Sequence, residues 1–268
     1  MATIHTIAAR LESRYQAAVW LAREAGERTL TRFQTQKLGT ESKRDGTPVT
    51  LADRDAEKFL RGRIAEEFPD DGILGEEFGE TAGSSGIRWI LDPIDGTKAY
   101  VCGVPLYGTL VAVEVDGVAA IGVIELPALS ERVHACIGAG AKWQRGDRTA
   151  EPARVSSVAD LREAVFCYTD DAGFLKHDAG DFLERMKKSC RLCRGWNDCY
   201  SYALLATGRC DVVVDPVMEL WDIAPLAPII REAGGRLTDF AGRDELAREC
   251  IASNGLIHNE VLKCAHKI

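Results

Sequence analysis

Stretches of helical and strand periodicity alternate along the whole chain, and that alternation predicts an α/β protein built in layers. Two further observations support this class. The apolar runs are short and end in Asp, Pro or Gly, as at Trp89-Ile90-Leu91-Asp92-Pro93, which is the pattern of buried strands. At 268 residues the chain can also bury a real core, as one large domain or two modest ones.

The elements follow in order. From about Thr3 to Phe33, Ile7, Leu11, Tyr15, Ala18, Leu21, Ala22 and Ala25 recur at helical spacing with charges between them, predicting a long amphipathic helix. Gln34 to Thr47 is polar and ends in Asp45-Gly46-Thr47-Pro48, a turn or loop. Thr50 can cap the next helix, with Asp53 in the reciprocal position of a capping box; Ala56, Phe59, Leu60 and Ile64 form its buried stripe before Pro69. Ile73-Leu74-Gly75-Glu76-Glu77 reads as a short strand running into two carboxylates, followed by a Gly-Ser-rich turn through Gly86. Tyr107 to Val115 and Val118 to Glu125 are joined by Asp116-Gly117, the signature of a hairpin. Arg132 to Ile137 continues the sheet, and Gly138 to Arg154 reads as loop. The second half reads as strand (Ala164 to Tyr168), helix (Asp178 to Met186), helix (Tyr200 to Ala206), strand (Cys210 to Val214) and helix (Asp222 to Ala233) closed by Gly234-Gly235.

Composition excludes several classes of function. A net charge of −8 argues against a nucleic-acid backbone as partner and would repel a phosphorylated substrate unless cations or concentrated amides intervene. No stretch approaches the roughly 18 to 20 apolar residues of a membrane span, and the N-terminal residues lack the apolar core of a secretory signal. Nine scattered cysteines, an odd number, suit reduced thiols and a cytoplasmic setting better than a disulfide framework. Cys190 and Cys193 form a single C-x-x-C, and without a second pair they read as thiols rather than a zinc site.

The chemistry concentrates where apolar runs end in carboxylates. Asp92 and Asp95 follow one such run, Glu76 and Glu77 another, and Asp222 opens a helix after a strand and loop. Each has an ordinary alternative: a turn former, a solvated pair, an N-cap. Three instances in one acidic chain favour a convergent cluster of oxygen ligands around a hard cation, with Mg²⁺ first and Mn²⁺ or Ca²⁺ next. Gly96-Thr97 adds the glycine that lets backbone approach an anion, and a hydroxyl that can orient a water.

Gly75-Glu76-Glu77, the run Asp92-Pro93-Ile94-Asp95-Gly96-Thr97, and Trp221-Asp222 followed by Ala233-Gly234-Gly235 together resemble the inositol monophosphatase superfamily of Mg²⁺-dependent phosphatases, in order and spacing over nearly the whole chain. The resemblance implies a layered αβαβα sandwich forming a single domain over 1–268, commonly a homodimer. Its N-terminal half, about 1–150, would carry most of the metal ligands, and its C-terminal half, about 151–268, the specificity residues. It further implies two or three Mg²⁺ per site: Glu76, Asp92 and the Ile94 carbonyl around one, and Asp92, Asp95 and Asp222 around a second. Gly96 and Thr97 then resemble phosphate-binding residues. Thr97 and Asp53, with Glu76, resemble the group that positions and activates an attacking water for direct in-line hydrolysis.

The substrate side is read from Arg194-Gly195-Trp196-Asn197-Asp198-Cys199-Tyr200, where typical inositol monophosphatases carry small residues. That aromatic-Asp-Cys-aromatic pattern is similar to the histidinol-phosphate phosphatase branch. The small phosphorylated metabolite implied there carries an ammonium and an imidazole. Asp198, Asp215 and Glu219 would suit its cations and Trp196 its ring, with Arg194 at the edge of the block. The alternatives are an inositol phosphate, another sugar or nucleotide phosphate, or a non-catalytic binding protein.

Overall fold

The computed structural model describes residues 2–35, 39, 41–42, 48–196 and 198–266; the turn expected at Asp45-Gly46-Thr47 and the side chain of Asn197 lie outside them. The chain begins with α1 (Ala2–Leu30), the small pair β1 (Glu41–Ser42) and β2 (Pro48–Val49), and α2 (Leu51–Glu67). Next come β3 (Gly72–Gly75), β4 (Gly79–Thr81), β5 (Ile87–Asp95) and the short α3 (Thr97–Val101). A meander follows: β6 (Gly108–Val115), β7 (Val118–Leu126), β8 (Glu131–Cys136), β9 (Ala141–Arg145) and β10 (Glu151–Pro152). The second half runs β11 (Val165–Tyr168), α4 (Asp171–Lys176), α5 (Gly180–Ser189), β12 (Leu192–Arg194), α6 (Asp198–Ala206), β13 (Val212–Asp215), α7 (Leu220–Glu232), β14 (Arg236–Thr238), β15 (Cys250–Ser253) and α8 (His258–His266).

Two sheets organise these elements. An eight-stranded sheet has the order β10-β9-β8-β7-β6-β5-β3-β4, antiparallel except where β3 runs parallel to β5. A five-stranded sheet has the order β12-β11-β13-β15-β14, with β11 parallel to both β12 and β13. Successive side chains of a strand point to opposite faces, and the cores follow that rule. On β5, Trp89 and Leu91 pack against Leu21, Leu60 and Ile64 of α1 and α2, whereas Ile90 between them faces Ala224 of α7. On β13, Val213 joins the central core with Leu205, Ile229 and Ile124, while Val212 and Val214 face Phe182, Met186 and Val261 of the far helices. The layers are therefore α1/α2, large sheet, α6/α7, small sheet, α5/α8, the αβαβα order expected.

One close approach fixes the middle of the sandwich. An ideal Cβ on Gly122 of β7 would lie 1.9 Å from the Pro225 carbonyl oxygen of α7, so only glycine fits there. Pro225 and Pro228 both lie inside α7 and lack the N–H that a helix interior uses.

The chain departs from the sequence reading chiefly in short or polar elements. Gly138 to Arg154, expected as loop, contains β9 and β10; β9 pairs with β8 in register Val133↔Trp143. Its only fully buried residue is Ala141, so no apolar run marks it. The Gly-Ser-rich turn contains the fully exposed β4, and α4, β12, β14, β15 and α8 are additions in the second half.

Candidate metal and phosphate site

The site begins where β5 breaks its pairing with β6, between Asp92 and Asp95. Asp92 Oδ1 accepts the Ile94 N–H at 3.0 Å, the Thr97 hydroxyl donates to the Ile94 carbonyl at 3.1 Å, and the Thr109 hydroxyl donates to the Pro93 carbonyl at 2.8 Å. Gly96 then takes φ 83°, a left-handed conformation that turns the chain into α3. The expected turn is thus held by its own side chains and by β6.

Asp222 arrives from across the middle layer. It sits in the first turn of α7, and its Oδ2 accepts the Glu219 N–H at 2.8 Å. Carboxylate oxygens of Asp92, Asp95 and Asp222 lie within 4.8 Å of one another, the one such group among the described residues. The start of α6 completes the enclosure: the Cys199 N–H donates to Asp95 Oδ2 at 2.6 Å. Asp198 Oδ2 would lie 2.9 Å from a Cβ placed on Gly96.

The loop after β3 supplies Glu76 and Glu77, and it is held from below by Glu57 of α2. Glu57 is fully buried; its Oε2 accepts the Glu77 N–H at 2.8 Å, and its Oε1 accepts the Phe78 N–H at 3.2 Å and Arg61 Nε at 2.8 Å. Gly75 is required there, because a Cβ would fall 2.0 Å from Glu57 Oε1. The Glu76 N–H donates to the Leu91 carbonyl at 3.1 Å, tying this loop to β5. Asp53 forms the expected capping box: its Oδ2 accepts the Thr50 N–H at 2.8 Å and the Thr50 hydroxyl at 2.6 Å. Its Oδ1 is buried without a hydrogen-bond partner.

Burial and mutual repulsion govern the protons. Burial pushes the Asp92 carboxyl well above the usual carboxylate range, and the charges of Glu76, Asp95 and Asp222 push it further. Asp95 is raised by burial and then by Asp198 and Asp222. Asp222 is raised to about 8 by burial, Glu76, Asp198 and Asp215, and Asp53 to about 7 by burial, with Glu77 and Glu76 adding. Buried carboxylates this close cannot all be anionic without a compensating cation. An oxygen-only donor set and an orphaned buried oxygen on Asp53 therefore fit a hard divalent ion.

Beside the cluster lies a cavity of about 470 Å³ lined in part by Asp95, Asp222, Asp198, Asp215, Asp170 and Lys98. Asp215 is buried there; its Oδ1 and Oδ2 accept the hydroxyls of Thr169 and Tyr202, both at 2.8 Å. Of the residues expected on the substrate side, Asp198 and Asp215 line this cavity. Trp196, Arg194 and Glu219 do not. Trp196 is half-buried against the central core, Arg194 is exposed and donates to the Cys193 carbonyl, and Glu219 precedes α7 and pairs with Arg248. Burial pushes the Cys190 thiol up to about 12, beside Cys193 and Cys264, so it is a neutral thiol. Glu57, Thr169 and Tyr202 were missed by sequence reasoning. Only Glu57 left a signal, one helical turn from both Asp53 and Arg61.

A five-layer α/β sandwich with an all-carboxylate cluster opening into a cavity fits the class of metal-dependent phosphoesterases. The profile of the inositol monophosphatase family matches residues 10–268, and the chain belongs to that family as a phosphoric monoester hydrolase. It is 43% identical over 231 residues to a histidinol-phosphatase of Chlorobaculum parvum, covering 86% of this chain and 87% of that one. It is 39% identical over 246 residues to a histidinol-phosphatase of Mycobacterium tuberculosis, covering 91% and 95%. Among solved structures, the IMPase of Thermotoga maritima superposes with a TM-score of 0.85 at 33% identity, over 94% of this chain and 96% of that one.

Proposed function

We propose that the chain hydrolyses L-histidinol phosphate to L-histidinol and phosphate, a step of histidine biosynthesis, using two or three Mg²⁺. The observation that carries this reading is the cavity: beyond the triad it is lined by further carboxylates, which suit an ester whose organic part is cationic. Histidinol phosphate carries an ammonium and an imidazole there, whereas an inositol phosphate offers only hydroxyls. The names of the two relatives above support the same substrate.

Glu76, Asp92, Asp95, Asp222 and the Ile94 carbonyl are the groups that would hold the ions, with Mn²⁺ a substitute. When bound, Mg²⁺ neutralises phosphate oxygens and makes a coordinated water acidic enough to attack. Gly96 and Thr97 face the phosphate at the turn after β5. Asp53, with one oxygen fixed by Thr50 and the other buried and unpartnered, is suited to take the proton of the attacking water. Thr97, held by Ile94, orients that water. Asp215, bonded through both oxygens, shapes the cavity wall and keeps Thr169 and Tyr202 in place. Nine free thiols fit a cytoplasmic, reducing setting, and a homodimer is the assembly we infer.

The test is phosphate release from L-histidinol phosphate and inositol 1-phosphate side by side, with Mg²⁺ and with excess chelator. Turnover that favours histidinol phosphate and stops in chelator supports the proposal. A preference for inositol 1-phosphate overturns the substrate, and full activity in chelator overturns the metal.

A further inference from the structure

Asp170 lines the same cavity as Asp95 and Asp222, and nothing in the hydrolysis itself uses it. It is half-buried just before α4, where its Oδ1 accepts the Gly173 N–H at 2.6 Å and so caps that helix. Its Oδ2 makes no hydrogen bond among the described residues.

The other carboxylates beyond the triad are already engaged. Asp198 presses toward Gly96, and its charge raises Asp95 and Asp222, so it stands at the phosphate end of the cavity. Asp215 spends both oxygens on the Thr169 and Tyr202 hydroxyls. Among the described residues no salt bridge joins Asp170 to the basic side chains of the cavity. Lys98 follows Gly96-Thr97 at the phosphate end, while Lys176 and His177 are exposed to solvent, where screening weakens them.

We propose that Asp170 is a specificity-determining residue that binds the positively charged group of the ester's organic part, its Oδ2 accepting from an ammonium. This rests on the histidinol phosphate reading, but the chemistry it names is a cation at that end of any phosphate monoester.

The test compares the parent with Asp170→Asn on L-histidinol phosphate, O-phosphoethanolamine and glycerol 2-phosphate. Asparagine caps a helix as well as aspartate does, so the substitution removes the charge and keeps α4. The ratio of kcat/KM on either cationic ester to that on the neutral one is expected to fall ten- to hundredfold, mainly through KM, the effect of one charge-assisted hydrogen bond. Asp170→Ser, which also caps, should give the same selectivity if the Asn variant is poorly folded. Equal losses on all three esters would overturn the proposal and leave Asp170 a helix cap alone. If the parent does not favour histidinol phosphate while the variant still loses selectively on phosphoethanolamine, the substrate reading fails and the role of Asp170 stands.

Discussion

Glu57→Ala tests whether the ligand-bearing loop is held from α2. The truncation strands the Glu77 and Phe78 N–H groups and removes the carboxylate partner of Arg61, whose side chain is only 16% exposed and keeps its bonds to Thr81 and Gly79. Each hydrogen bond to a charged acceptor contributes about 1.5 to 3 kcal/mol. Stripping one partner from a buried ion pair costs about 3 to 5 kcal/mol. These overlap, because the same carboxylate makes all three contacts, so the expected loss is about 4 kcal/mol rather than their sum. At roughly 2 to 4 °C per kcal/mol for a chain near this size, Tm should fall by about 8 to 16 °C. Glu76, the proposed ligand, should shift with its loop, and residues that support metal ligands typically cost about 10- to 100-fold in metal affinity or activity when changed. Thermal melts with and without Mg²⁺, and Mg²⁺ titration of phosphate release, read both effects. An unchanged Mg²⁺ half-saturation, with Tm within about 2 °C of the parent, would refute a supporting role for Glu57.

Other consequences follow from the same geometry. Asp95→Asn keeps the acceptor for the Cys199 N–H but removes a charge from the triad, so kcat/KM at saturating Mg²⁺ should fall by at least about 100-fold with the fold intact; near-parental turnover would remove Asp95 from the ligand set. Gly96→Ala places a Cβ at φ 83° and 2.9 Å from Asp198, so inhibition by inorganic phosphate should weaken at least tenfold, and unchanged inhibition would show that this turn does not hold the phosphate. Asp53 and Asp222 have folded pKa values raised to about 7 and about 8, above their unfolded values. The native state without metal therefore binds more protons than the unfolded chain, and its stability should decline as pH rises from about 4 to about 8. Mg²⁺ should correspondingly raise Tm more at pH 8 than at pH 6, and a larger gain at pH 6 would contradict the assignment.

The sequence disclosed elements whose pattern comes from one-sided burial and hid those whose pattern does not. β5 to β7, α1 and α2 bury long faces, and their periodicity follows directly. β9 lies next to the two-residue edge strand β10, with Lys142 exposed and Trp143 and Gln144 half-buried, so its strand character comes from pairing with β8. The carboxylates of the cluster were visible because Asp92 and Asp95 follow an apolar run and Asp222 opens a helix after a strand and loop. Glu57 and Asp170 were not singled out, because a charged residue on a helix or in a turn looks solvated until the fold covers it. Trp196 shows the opposite case. Its size and neighbours suggest a ring platform, yet its contacts are with the central core.

The contact of Gly122 with Pro225 has a meaning for ion choice. Asp222 lies about one helical turn before Pro225, while Asp92 and Asp95 belong to the sheet on which that helix rests. The height of α7 above β7 is therefore the calliper setting across which the three carboxylates face each other. A methyl group at position 122 would act as a shim, widening the jaws without touching a ligand. Small cations such as Mg²⁺ demand a narrow, regular oxygen cage, and Ca²⁺ accepts a wider one. With an ion held by these three carboxylates, the missing side chain of a glycine on the sheet would help set which metal the jaws grip.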